Sequence, residues 1–197
     1  MKNYKMKYIF LALSLAGMSG LTCAADPVPQ TDTSGGPINF EGNVINAPCI
    51  IQGTSKSQTV SLGDVSVKQL VTNTKGASQD FTISLAGCDL SGLASDGTTA
   101  ANYTKAKIMF SGSKANAAGD ILKLTAVDGA AQNVGVQITE QGSSKGLVLD
   151  TDYTATRTLA TGVSSYDFPF TAYYIKNGTT PVAGKANATV NFTVAYE

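Results

Sequence analysis

Chemistry in this chain has few places to start. Asp150 and Asp152 are its only close pair of carboxylates, and on a strand they would share a face. Paired acids can serve acid–base catalysis or bind calcium. The surrounding VLDTDY reads more simply as a strand end and turn, and the ligand spacing of an EF-hand loop is missing. The sequence contains no histidine, which removes Ser-His-Asp and Cys-His catalysis and histidine-based zinc sites. Its glycines are scattered and form no phosphate-cradling loop. No active site, cofactor or metal is expected. The remaining reactive side chains are three cysteines, Cys23, Cys49 and Cys88.

What the cysteines do depends on where the chain goes. Lys2, Lys5 and Lys7 precede an uncharged apolar run from Tyr8 to about Leu21, followed by the small residues Ala24 and Ala25. That is the layout of a secretory signal peptide over residues 1–25, with cleavage expected after Ala24 or Ala25. Cys23 would be discarded with it. The mature chain then keeps 172 of 197 residues, enough for one domain with a core. Three of fourteen basic residues and none of fourteen acidic ones leave with the signal, so the net charge becomes −3. Such weak acidity argues against nucleic acid as a partner. An even cysteine pair in an exported chain reads as a disulfide, Cys49 to Cys88; a reactive thiol pair would more usually appear as CxxC. Closing this loop is worth about 4 kcal/mol in the chain-entropy account.

The elements around that bridge are strands. Alternation and turn clusters predict strands at 59–65, 80–86, 105–111, 122–127, 134–140, 146–149 and 166–175, with a short helical turn near 67–72. Residues 91–102 and 111–119 read as loops. This is the pattern of an all-β antiparallel sandwich of immunoglobulin-like type. Tyr166, Phe168, Phe170, Tyr173 and Tyr174 form one aromatic cluster, read as strand core in preference to a carbohydrate platform because Phe168 and Phe170 alternate. Ahead of the first strand, residues 26–36 are rich in Pro, Thr, Ser and Gly and have little to bury. Ile38, Phe40 and Val44 then alternate with polar residues, and Gly42 leaves a notch on their apolar side.

The last stretch, GKANATVNFTVAYE, places Ala188, Val190, Phe192, Val194 and Tyr196 at every second position. No strand follows in the sequence to cover this edge, so another segment is expected to pair with it. Gly184, fourteenth from the end, the alternating residues and the penultimate Tyr196 together resemble the C-terminal β-zipper motif of chaperone–usher pilins, the fimbrial subunits of Gram-negative bacteria. INFEGNVINAPC likewise resembles that family's N-terminal donor segment, with Gly42 seven residues before Cys49. The cysteine pair is spaced as in type 1-like pilins. The resemblance spans essentially the whole mature chain.

The resemblance implies an incomplete immunoglobulin-like sandwich that lacks its last strand and is completed by a donor strand from a neighbouring subunit. The donor positions would be Gly36, Ile38, Phe40, Gly42 and Val44, in an extension over residues 26–44 ahead of a pilin domain at 45–197. Pro37 departs from a clean donor, since it lacks an N–H and would cost one ladder bond on the alternate side. Gly184, Ala188, Val190, Phe192, Val194 and Tyr196 would form the strand beside the groove that a periplasmic chaperone fills first and the next subunit's arm then takes, with an outer-membrane usher as the assembly platform. The product would be a homopolymeric cell-surface fimbria supporting adhesion, with composition suiting the major subunit. A minor or adaptor pilin, or a self-contained secreted carbohydrate-binding sandwich, are the alternatives.

Overall fold

The structure is a computed structural model that describes residues 35–45, 47–91, 103–151, 153–154 and 158–197. Asp152 and most of the loop expected at 91–102 lie outside them. The chain divides into two units, Met1–Asn43 and Val44–Glu197. In the first, residues 35–43 form no helix or strand, and Ile38 and Phe40 are 78% and 91% exposed.

The second unit carries β1 (Ile50–Ile51), α1 (Gly53–Lys56), α2 (Val67–Asn73), β2 (Gln79–Ala86), β3 (Ala106–Ser111), β4 (Leu122–Lys123), β5 (Val134–Glu140), β6 (Tyr153–Thr154), β7 (Ser165–Lys176) and β8 (Asn191–Tyr196). One sheet has the order β1-β2-β7-β5-β4 and the other β6-β3-β8, with every pairing antiparallel. Cys49 and Cys88 are joined, tying the start of β1 to the end of β2.

Inward-facing positions of both sheets make the core. Ile83, Leu85, Phe168, Phe170, Val136 and Ile138 from the larger sheet meet Ile108 and Phe110 of β3. Phe170 sits at its centre, stacked on Phe81 at 5.6 Å and edge-on to Phe110 at 5.1 Å. These rings are packed inside, which leaves Phe168 and Phe170 no part in a carbohydrate platform. Tyr166 is buried as well, and its hydroxyl donates to the Ala160 carbonyl and accepts from the Ala160 N–H, closing the turn before β7.

β5 is buried on both faces. Its Gln137 accepts from the Tyr173 hydroxyl and donates to Asp120, so the segment from Ser113 to Ile121 lies over the outer side of the sheet. The expected strand at 122–127 is shortened to β4 because the chain crosses between sheets: Lys123 N–H bonds Ser113 O, and Thr125 N–H bonds Asn187 O. The expected strand at 146–149 does not form. Leu147, Leu149 and Asp150 donate to three separate segments, at Ile138, Gly119 and Phe110. Asp150 adopts a left-handed φ of 57° and pairs with Lys114 at 3.1 Å, in keeping with a turn. α2 fits the short helical turn; Ser66 caps its start by accepting from Gln69 N–H, and Leu70 anchors it in the core.

Candidate functional site: an open groove beside the last strand

β8 has one neighbour. It pairs with β3 from Asn191↔Ser111 to Tyr196↔Ala106 and forms the margin of its sheet, with no strand on its other edge among the described residues. Its apolar side chains are only half covered. From Ala186 to Tyr196 every even-numbered residue is partly buried and every odd-numbered residue exposed.

Facing β8 across the gap runs the segment expected as a strand at 59–65. It forms no strand. Val60, Leu62 and Val65 turn partly inward while Thr59, Ser61 and Asp64 face water. Alternation of this kind suits a strand, yet no ladder lies beside the segment among the described residues, and Gly63 breaks it with a left-handed φ of 65°. Between this segment and β8 opens a groove of about 880 Å³. Phe81, Ile83, Phe110 and Ile138 form its floor, with Val60 and Leu62 on one wall and Ala188, Val190 and Phe192 on the other. The groove therefore reaches straight into the core.

The final strand is shorter than its sequence pattern. Gly184 to Val190 lies outside the strand, and its first part is held by the stretch after β4: Ala131 N–H bonds Lys185 O and Lys185 N–H bonds Gly129 O. Gly184 is required there for closeness. A Cβ at this position would meet Ala131 N and Gly129 O at 2.5 Å and Ala130 C at 2.6 Å. At the other end Tyr196 packs edge-on against Tyr103, with ring centroids 6.1 Å apart. Its hydroxyl is buried without a hydrogen-bond partner among the described residues, and burial pushes its pKa up to about 12.

Tyr174, one of the aromatic cluster expected as strand core, has a second role at the groove. It lies on the core side of β7, reads as one more strand aromatic, and lines the end of the groove while its hydroxyl donates to Ala186 O at 2.9 Å. Burial raises its pKa, with the nearby Asp64 charge adding to the shift. Of the donor positions within this unit, Val44 is fully exposed. Among the described residues no group of His, Cys, Asp and Glu could hold a metal ion. No helix there is long and apolar enough to cross a membrane.

Comparison with known proteins agrees with this geometry. The family described as "Fimbrial protein" matches residues 38–197. The type-1 fimbrial protein C chain of Escherichia coli is 36% identical over 195 residues, covering 98% of this chain and 99% of that protein. The type 1 fimbrial subunit of Klebsiella pneumoniae is 36% identical over 199 residues, covering 98% and 100%. A solved chaperone–usher pilus shares the fold, with a TM-score of 0.66 at 22% identity over 86% of this chain and 100% of that one. The P pilus rod subunit does so too, with a TM-score of 0.61 at 23% identity over 77% and 100%. The family is one of structural subunits and is not an enzyme class. This chain belongs to the fimbrial protein family and is a structural fimbrial subunit of the type 1-like kind.

Proposed function

We propose that the groove is the acceptor for the N-terminal arm of a neighbouring copy, so that subunits polymerise by strand addition. The open edge of β8 above an uncovered stretch of core carries this reading. The arm supplies what the groove lacks: Ile38, Phe40 and Val44 at alternate positions, all exposed, with Gly42 as the notch. Inserting it would remove apolar surface from water on both partners, at about 25 cal/mol per Å². The contact joins the arm of one copy to the groove of the next, and such a heterologous interface grows an open filament.

In this reading residues 1–25 direct export, residues 26–44 are the donor extension and 45–197 the acceptor domain. A periplasmic chaperone covers the groove before assembly, with Gly184, Ala188, Val190, Phe192, Val194 and Tyr196 on the strand it pairs with, and an outer-membrane usher receives the complex. The assembled fimbria supports adhesion, and the subunit has no catalytic role. Deleting Asp26–Phe40 tests this. The truncated subunit is expected to accumulate with its chaperone and to form no filaments. Long filaments built from truncated subunits alone would refute the donor role of the arm.

A further inference from the structure

At one end of the groove a side chain of β7 reaches the stretch that leads into β8. On the inner edge of the final stretch, Lys185 O accepts from Ala131 N–H, Asn187 O accepts from Thr125 N–H, and Glu197 exchanges both backbone bonds with Lys105. The β3–β8 register continues that last pair, so odd-numbered residues bond inward throughout. Neighbouring residues of an extended chain direct their N–H and C=O to opposite edges. Ala186, Ala188, Val190, Phe192, Val194 and Tyr196 therefore present theirs to the open edge. The first of these carbonyls is already taken, because Tyr174 reaches across from β7 and donates its hydroxyl to Ala186 O at 2.9 Å.

We propose that Tyr174 is the register stop of the groove, holding the Ala186 carbonyl so that an added strand begins its ladder at Ala188. The proposal rests on the donor-strand reading above. Ala188, Val190, Phe192, Val194 and Tyr196 remain available, and the antiparallel arm offers Val44, Gly42, Phe40, Ile38 and Gly36 in matching order. Val44 then lies opposite Ala188, Phe40 opposite Phe192 and Gly36 opposite Tyr196. Directly opposed residues share a face, so Val44, Gly42 and Phe40 fall on the groove beside Ala188, Val190 and Phe192, and Ile38 and Gly36 continue along the same face. Sizes also fit, since the largest residue of β8 meets a glycine and the small Ala188 meets valine. Pro37 falls on an odd position, so its missing N–H is not one that β8 needs. A slip of two residues would set Val44 opposite Ala186, whose carbonyl Tyr174 holds, and would bring Ser34 in place of Gly36 opposite Tyr196.

Cysteine pairs read this register. Opposed residues in an antiparallel pair stand within disulfide reach, with Cα atoms about 5.5 Å apart, and residues two positions off do not. The full chain carrying Val44→Cys and Ala188→Cys, assembled into filaments and oxidised, is expected to give a covalent ladder on a non-reducing gel. Val44→Cys with Ala186→Cys is expected to give none until Tyr174→Phe is added. A ladder from the Ala186 pair with Tyr174 in place would overturn the stop and leave the donor role standing. Intact filaments with no ladder from either pair would overturn both. If the cysteine variants do not assemble, the single Ala188→Cys and Ala186→Cys chains are refolded with a synthetic peptide of residues 35–46 carrying Cys at 44. Adduct mass then reports the same choice, and an adduct at 186 alone counts against the stop.

Discussion

β7 and β8 carry the same alternation of apolar and polar residues and meet different fates. β7 lies between β2 and β5, and its core-facing Tyr166, Phe168, Phe170 and Ala172 are buried. β8 lies at a margin, and Phe192, Val194 and Tyr196 stay half exposed. Alternation states which face a strand means to bury; neighbours decide whether it succeeds. The difference between the two strands locates the missing neighbour.

Core truncation breaks the comparison most severely. Phe170→Ala empties the centre of the closed region and is expected to cost about 3–5 kcal/mol, read as a lowered denaturant midpoint. Phe192→Ala in the free subunit is expected to cost roughly half as much, because part of the ring is already in water. In the filament the two costs should converge, since strand addition covers Phe192. Equal losses in the free subunit would mean that β8 is already closed.

Gly184→Ala is the next largest. The added methyl meets backbone atoms that cannot swing aside, so a loss of about 1–3 kcal/mol is expected in thermal unfolding of the free subunit. An unchanged melt would mean that the contact with Gly129–Ala131 is looser than described.

A smaller effect separates the two regions by pH. Burial raises the Tyr196 pKa to about 12 in the folded chain, against about 10 for an ordinary tyrosine. The neutral phenol is therefore favoured by folding, and its contribution is complete below pH of about 10 and lost as pH rises toward 12. Tyr196→Phe should flatten this alkaline loss in an unfolding titration, whereas Phe168→Leu in the closed region should leave its slope unchanged.

The strands legible in the sequence were those with neighbours on both sides or a strong alternation: β2, β3, β5 and β7 stand within a residue or so of their expected ends, and 134–140 matches. The expected strand at 59–65 has the right pattern but no ladder, because pairing is a property of two segments and one is absent beside it. Two-residue strands such as β1 and β6, and the single turn of α1, are too short to leave a period. Gly184 was visible as part of a motif, but its physical need, the backbone of Gly129–Ala131 pressed against it, is a contact over fifty residues away in sequence. The Tyr174 bond to Ala186 was equally hidden, since it joins β7 to the irregular stretch that leads into β8. The groove itself was legible only through a patterned final strand whose second edge has no partner among the described residues.

In the donor-strand reading proposed above, this sandwich lacks one strand and its own arm sequence supplies it. A copy of residues 36–44 appended after Glu197 through a short Asn-Gly turn could fold back antiparallel beside β8 at high effective concentration. The expected result is a soluble, chaperone-independent monomer that does not polymerise and melts cooperatively well above the unextended subunit. The same extension with Asp at the positions copied from Ile38 and Phe40 should give no such gain, because it would bury unpaired charge. An unmutated extension without added stability, or an unextended chain that is an equally stable monomer, would contradict the account.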